Sequence, residues 1–559
     1  MEYPVETAWL KPPQQIGGLD HLGVQAPCIQ IYSQLLPGIT NVTDRARYYS
    51  FYPWLLSQFE KQAWRSEDEV LLMLRRAECL LTLISLQHHH DCDDGTEDHR
   101  AAMVGSEALS HAISAINTGE TITISNYSDI NGTTHRYFKN PVGGLGQYYF
   151  GTLWGLGLLD GDSPRAMRLP KGTGTKMAEI VDQYVPANEF IEALKSDSIS
   201  KDVLISLSGF CPCSLTNAKE EAEALIGIML QGWIALNPDE VASEEVIHAS
   251  SSRSHSLAYL CLLADSAYET ETTFDIHSFR AMSYTTSNAT NKEITLPKSI
   301  SSTVTHWQAY QRNELLSIAL QGLFFSILTM ADNYSERFHS SEELCHWCWN
   351  EGAGSEVLDL FESSKLTTTD WFNDISNQLP GFSDWQHDLH EIQCMTRVNF
   401  LTNKKSINKD ELTAVIKDSL SILAAILCRP ENSMGYGDIN FPEGYLSYYP
   451  VNLNSVLDDF TQSLSDLNIK DALSKFTQNR CLDSHLRVAM RKLQQQGKNT
   501  FRFEPNELGL IVKSIPRAAH TSPRFGQALR IVTDLGLLSR DGGLLRTTNQ
   551  GKLFVEAAV

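Results

Sequence analysis

The stretch VLLMLRRAECLLTLISL, Val70 to Leu86, is apolar around nearly the whole circumference of a helix. This pattern predicts a helix buried centrally in a bundle. On its N-terminal side, aromatic and apolar residues recur at spacings of three and four from Tyr48 to Phe59, and far downstream Leu315 to Ala331 runs for seventeen residues without a charge. Strand-like alternation is sparse before the C-terminus. The sequence therefore predicts a mainly α fold, with Leu315–Ala331 as a buried helix of a large body.

The length of 559 residues exceeds what one hydrophobic core usually organises, so several packing units are expected. Prolines and paired glycines mark the N-terminal region, and a stretch without periodicity, TTSNATNKEITLPKSISS, separates two helical regions. The predicted organisation is an extended N-terminal arm over 1–44, a helical domain over 45–284, a linker over 285–302, a second helical domain over 303–479 and a C-terminal domain over 480–559.

The eleven cysteines are scattered, odd in number and mostly placed in apolar stretches. Reduced thiols used as small hydrophobic residues show this pattern, which favours a cytoplasmic location. The N-terminus has acids and prolines where a signal peptide needs basic residues and an apolar run. We therefore expect a cytoplasmic protein without a membrane partner.

Charge is distributed unevenly along the chain. The net charge is −22, yet Arg480 to Val559 contains nine Arg and four Lys against three Asp and three Glu, a surplus of seven. The remainder therefore carries −29. A basic tail on an acidic body often marks a contact with nucleic acid or a partner, although the tail could instead dock on the acidic body itself.

The C-terminal eighty residues carry the clearest order of elements. The patterns predict a helix over Leu482–Gln496, a strand at Thr500–Phe503 and a second helix from Glu504 to about Ile515. Ser522 can cap a third helix with Pro523 at its first position. A hairpin around Asp541-Gly542-Gly543 and a final helix from Asn549 to Ala558 complete the segment.

This order of helix, strand, helix, turn, helix and hairpin resembles the winged-helix superfamily, and the helical body resembles no family. In winged helices the third helix commonly enters the DNA major groove and the hairpin touches the backbone or the minor groove. The resemblance implies double-stranded DNA as a partner. Carried over by position, the implied DNA-binding residues are Arg517, Arg524, Gln527, Arg530, Arg540, Arg546 and Lys552.

The resulting interpretation is a non-catalytic DNA-associated adaptor or scaffold subunit of a multi-protein complex, in a bacterial setting such as defence against phage or mobile elements. Winged helices also dock on proteins, and in kleisin-like subunits of SMC-type ATPase complexes a terminal winged helix caps the ATPase head. A docking subunit of that kind is the alternative, with other protein subunits as partners.

One cluster of metal-capable side chains raises an enzymatic alternative. HHHDCDDGTEDH, His88 to His99, has four His and four Asp, and ligands such as His90, Asp94 and His99 would suit a metal-dependent hydrolase or nuclease. No His-Glu-x-x-His spacing places them on one helix face, so a solvated acidic loop is the simpler interpretation. No cofactor is predicted, and a divalent metal is the alternative.

Two cysteine pairs offer a second arrangement. Cys211-Pro-Cys213 and Cys345-His-Trp-Cys348 together could provide four thiolates for zinc. The pairs lie more than 130 residues apart, and the second pair has the spacing of core residues on a helix.

Overall fold

A computed structural model describes residues 20–64, 66–92, 99–130, 140–335, 337–361, 363, 365, 367–507 and 509–559. The protein is mainly helical, which confirms the predicted class. Contacts divide the chain into two compact units. The first unit contains the described residues up to Ile31 together with His306–Thr521, and the second unit contains Tyr32–Thr305 and Ser522–Val559. The chain passes from the first unit to the second at Thr521–Ser522, inside the predicted 480–559 domain.

The first twelve helices are α1 (Ala26–Leu35), α2 (Arg47–Lys61), α3 (Glu67–Asp91), α4 (Ser106–Asn117), α5 (Ser125–Ser128), α6 (Phe150–Gly155), α7 (Thr173–Val181), α8 (Ala187–Ser196), α9 (Lys201–Ser206), α10 (Lys219–Gln231), α11 (Glu244–Glu269) and α12 (Ile276–Thr285). The helices that follow are α13 (Ser301–Asn333), α14 (Ser341–Asn350), α15 (Ala353–Leu360), α16 (Thr368–Gln378), α17 (Glu391–Thr402), α18 (Lys409–Cys428), α19 (Tyr445–Tyr448), α20 (Leu453–Asp458), α21 (Ile469–Thr477), α22 (Asp483–Gln496), α23 (Phe525–Asp534) and α24 (Asn549–Ala558).

The strands form three antiparallel pairs among the described residues. Strand β1 (Ile122–Thr123) pairs with β2 (Ser198–Ile199), β3 (Phe503–Asn506) with β4 (Gly509–Val512), and β5 (Leu538–Asp541) with β6 (Leu544–Thr547). In the last pair Leu538 lies opposite Thr547. Its turn residues Gly542 and Gly543 have φ of 59° and 89°, which confirms the predicted hairpin.

Helix α3 forms as the sequence predicts. Ser66 caps it by accepting a hydrogen bond from Glu69 N at 3.2 Å, and the run Val70–Leu86 lies within it. Leu74, Leu80 and Leu83 are fully buried. The helix therefore belongs to the core of the second unit. Its burial fixes the position of the backbone that bears the C-terminal histidines.

Helix α13 is the other long apolar element. The helical stretch Lys298–Asn333 has the length and composition to cross a bilayer, and 89% of its most apolar window is buried inside the fold. Leu315–Ala331 is therefore a buried helix, as predicted.

Part of the predicted extended arm is helical. Residues Ala26–Leu35 form α1, so the prediction of extended structure is wrong there, whereas residues 1–19 lie outside the described residues. Pro27 is the second residue of α1, where the missing N–H costs no helical hydrogen bond, and Pro37 follows the helix end. Both prolines are therefore compatible with this helix.

The predicted second helix of the C-terminal domain is also wrong. Strands β3 (Phe503–Asn506) and β4 (Gly509–Val512) pair here instead, with Phe503 opposite Val512. Leu510 N donates to Phe338 O at 2.7 Å, so the hairpin is fixed by a distant residue of the same unit. Gly509, at φ +117°, allows this approach, because a Cβ there would lie 2.6 Å from Phe338 O.

The chain after this hairpin has no regular structure and is held by side chains of the first unit, which we call the side-chain clamp (Gln321, Asn399, Thr402). Asn399 Nδ2 donates to Ala518 O at 3.0 Å, and Ala518 N donates to Thr402 Oγ1 at 3.2 Å. Gln321 accepts from Ala519 N at 3.0 Å and donates to Ala519 O at 3.2 Å. The peptide groups of Ala518 and Ala519 are thereby hydrogen-bonded without a strand partner.

Candidate functional site

The predicted DNA-reading helix is α23, and it begins later than expected. Arg524 is its N-cap, at φ +60°, so the predicted cap at Ser522 is wrong. A left-handed arginine here turns its side chain toward residues 32–39 of the same unit.

The guanidinium of Arg524 is hydrogen-bonded inside the second unit. Its guanidinium donates to Leu36 O at 2.9 Å, to Ile39 O at 2.6 Å and to Ser33 Oγ at 2.8 Å. The guanidinium carbon also lies 5.2 Å from the centre of the Tyr32 ring. Burial lowers the pKa of this arginine. The side chain predicted to face DNA therefore hydrogen-bonds to the end of α1 and to the turn that follows it.

The next two predicted residues on α23 have similar intramolecular partners. Gln527 Nε2 lies 3.3 Å from Asp44 Oδ1, and Arg530 forms an ion pair with the same carboxylate. One helical turn on, Asp534 accepts from Arg45 Nε at 3.0 Å and Nη2 at 2.9 Å, with both side chains buried. The polar face of α23 thus packs on residues 33–45.

The other four predicted cations are exposed. Arg517 lies in the first unit, whereas Arg540, Arg546 and Lys552 lie in the second unit. Arg546 is 51% exposed and lies 3.2 Å from Asp541 Oδ2. Arg546 and Lys552 line a cavity of about 560 Å³, which Asp265 and Glu269 also line. The structure leaves three predicted cations on the surface of the hairpin and α24.

The two predicted metal ligands that the structure describes, His90 and His99, do not belong to one metal-capable group. His90 is 56% exposed and contacts Asp91 Oδ1 at 3.0 Å, Asp94 lies outside the described residues, and His99 is buried. Cys345 and Cys348 are buried core residues of α14 in the first unit, as the helical spacing suggested. Cys211 and Cys213 lie in the second unit.

A different metal-capable group is present in the second unit. It comprises His88, His99, Cys211 and Cys213, whose ligand atoms all lie within 4.8 Å of one another. We call these four residues the His/Cys cluster. His88 was not singled out in the sequence, and the Cys-Pro-Cys pair was assigned to other partners. The Cys-x-Cys spacing was the available signal, but nothing in the sequence indicates which histidines it meets.

Local structure explains why the cysteines of the His/Cys cluster point inward. The 3₁₀ turn Ser208–Phe210 precedes the two cysteines. The centroid of the Phe210 ring lies 4.5 Å from that of Phe190 and 4.9 Å from that of Trp54. Pro212 then starts a second 3₁₀ turn, Pro212–Asn217. The aromatic anchor and the proline fix the direction of both flanking cysteines.

The two histidines of the His/Cys cluster come from α3 and from the segment before α4. His88 lies in the last turn of α3, and its Nδ1 is 3.3 Å from Cys213 Sγ. The His88 and His99 rings have centroids 5.0 Å apart. Cys92 Sγ lies 3.2 Å from the other ring nitrogen of His88, Nε2.

The pKa values of the two thiols in the His/Cys cluster are shifted in opposite directions. A hydrogen bond from Cys211, together with the nearby His88, lowers the pKa of Cys213 to about 6. Burial raises the pKa of Cys211. One thiolate is therefore favoured near neutral pH even before any cation is considered.

The His/Cys cluster is enclosed on one side and accessible on the other. His99 and Cys211 are 3% and 0% exposed, whereas His88 and Cys213 are half-buried. A cavity of about 330 Å³ reaches His88 and Cys213 and is also lined by Tyr184. Small ions can therefore reach the cluster from solvent.

Comparison with known proteins found no matching family model, no matching curated protein and no matching solved structure.

Proposed function

We propose that this protein is a non-catalytic, DNA-associated adaptor whose DNA contact is made by the β5–β6 hairpin and the start of α24. The observation that supports the proposal is the exposure of Arg540, Arg546 and Lys552 on these elements. Exposed Arg and Lys neutralise phosphates and release counterions on binding.

The proposed contact is with the phosphate backbone and does not read base sequence. Arg524 and Arg530 are held within the second unit, so α23 offers neither of its arginines to base edges. Asp541 and Glu556 lie close in sequence to the exposed cations and reduce the local positive charge. We therefore expect weak binding that is insensitive to sequence.

The number of phosphate contacts can be measured from the salt dependence of the affinity. Three phosphate contacts predict a slope of about −2.7 in a plot of log affinity against log salt concentration, since each contributes about −0.9. A helix that read the major groove with its own arginines would add contacts and give a steeper slope.

The test uses the full-length chain and a duplex of random sequence, with fluorescence anisotropy measured over a range of salt concentrations. The variant Arg540→Gln/Arg546→Gln/Lys552→Gln should lose binding. A matched control in the same unit replaces three other exposed cations: Arg168→Gln, Lys219→Gln and Lys292→Gln.

The proposal fails if the unmodified chain shows no affinity for duplex at low salt. It also fails if both triple variants lose affinity equally, because the contact would then be a general charge effect. The variant Arg530→Gln should leave the salt slope unchanged.

A further inference from the structure

The donor atoms of the His/Cys cluster favour one class of metal. Two sulfur and two imidazole donors suit zinc, which takes thiolate and histidine ligands in tetrahedral sites. Magnesium and calcium prefer oxygen, and no carboxylate among the described residues belongs to the group.

The separations between the donor atoms agree with one central ion. Zinc bonds of about 2.3 Å to sulfur and about 2.0–2.1 Å to nitrogen, at tetrahedral angles, separate neighbouring donor atoms by about 3.3–3.8 Å. Cys213 Sγ lies 3.3 Å from His88 Nδ1, and all four donor atoms lie within 4.8 Å of one another. Displacements of about an ångström or less would complete the tetrahedron.

The surroundings of His88 also fit a metal ligand. A histidine that binds metal through one ring nitrogen usually donates a hydrogen bond from the other. Nδ1 of His88 faces Cys213, and Nε2 lies 3.2 Å from Cys92 Sγ. Cys92 therefore occupies the position of a partner that orients the ring.

We propose that His88, His99, Cys211 and Cys213 bind one Zn²⁺ ion in a closed tetrahedral site of the second unit. All four positions are filled by protein atoms, which is the arrangement of structural zinc and leaves no site for a reacting water. The ion joins three separate chain segments: the end of α3, the segment before α4 and the Cys-Pro-Cys turn.

The role of this zinc is to stabilise the second unit. It closes a loop of more than one hundred residues between His99 and Cys211. Binding to the folded state alone adds directly to its stability, so removal of the ion should loosen the segments that carry the ligands. The cavity beside His88 and Cys213 is the route by which the ion enters.

The first test measures metal content in the full-length chain, purified without chelator. Elemental analysis by mass spectrometry should find about one zinc ion per chain. Cys213→Ser should lower this well below one, and His88→Asn should do the same. The matched control is His90→Asn, because His90 is an exposed neighbour on the same helix outside the cluster, and the zinc content of this variant should equal that of the unmodified chain.

A second measurement keeps the proposal testable if a variant fails to fold. The reduced, chelator-treated chain is titrated with Co²⁺, which should give the visible bands of a tetrahedral site and a near-ultraviolet band from thiolate ligands. Added Zn²⁺ should remove both sets of bands. His90→Asn should give the same spectrum as the unmodified chain.

Three outcomes would overturn the proposal. One is the absence of both zinc in the purified chain and a tetrahedral Co²⁺ spectrum in the titration. Another is a Co²⁺ spectrum that persists unchanged in Cys213→Ser. The third is a Cys211–Cys213 disulfide in protein isolated with thiols trapped by alkylation, because a disulfide cannot supply two thiolates. None of these outcomes depends on DNA binding, so the proposed function is tested separately.

Discussion

Replacing Asp534 with alanine should loosen α23 strongly, because the change leaves a buried arginine without its carboxylate. Asp534 accepts two hydrogen bonds from Arg45 and a third from Ala46 N at 3.0 Å. Breaking a buried ion pair from one side costs about 3–5 kcal/mol. An exposed pair such as Arg165–Glu67, with side chains 61% and 55% exposed, should contribute less than about 1 kcal/mol.

Hydrogen exchange followed by mass spectrometry is the suitable assay, since a chain with two units does not unfold in one step. A loss of about 3–5 kcal/mol in the free energy of local opening should raise exchange of the α23 amides about a hundred- to several-thousand-fold. The control Arg165→Ala should leave those amides unchanged. The double replacement Arg45→Met/Asp534→Leu should be milder than Asp534→Ala, because no unpaired charge remains.

The reasoning is refuted if Asp534→Ala exchanges like the unmodified chain. That result would place the α23 face in solvent, where its arginines could read DNA after all. An increase in DNA affinity without a loss of protection would point the same way.

Two further predictions concern pH and packing. His485 accepts from Arg502 N at 2.9 Å through Nε2, and burial lowers its pKa to about 4, below the ordinary value of 6.5. Because the fold holds His485 neutral, its contribution to the free energy of unfolding is complete above pH 6.5 and is lost as the pH falls toward 4. Hydrogen exchange of the α22 amides, corrected for intrinsic rates, should therefore rise over this pH range. The rise should be smaller in His485→Phe. Gly551→Ala should destabilise α24 because a Cβ would lie 2.1 Å from Leu537 O, whereas Gly526→Ala has open space in α23 and should stabilise by up to about 1 kcal/mol. Hydrogen exchange of the α24 and α23 amides that ranks these two alanine variants in the opposite order would contradict the packing argument.

Local patterns were sufficient for much of the fold. The apolar run Val70–Leu86 lies within α3, and the predicted final helix Asn549–Ala558 is α24. The β5–β6 hairpin follows from its Asp-Gly-Gly turn. In each case, the signal lies within one element, where periodicity and turn chemistry act directly.

Elements fixed by distant contacts were not predictable in this way. The β3–β4 hairpin depends on Phe338, more than 160 residues earlier, and its short apolar run is ambiguous between helix and strand. Charge counting could not distinguish Arg524 and Arg530, which are held by partners inside the second unit, from the exposed Lys552. The His/Cys cluster combines three segments, so the sequence showed its residue types but not their convergence.

The side-chain clamp has a consequence for which substitutions the chain tolerates between Pro516 and Thr521. Because Gln321, Asn399 and Thr402 grip peptide groups, the identities of exposed positions such as Arg517 and Ala519 are free to drift over evolution. Ala518 is fully buried, so that position admits only a small side chain. Related chains should show an invariant small residue at position 518 between variable residues at positions 517 and 519, a pattern easily mistaken for a disordered tether.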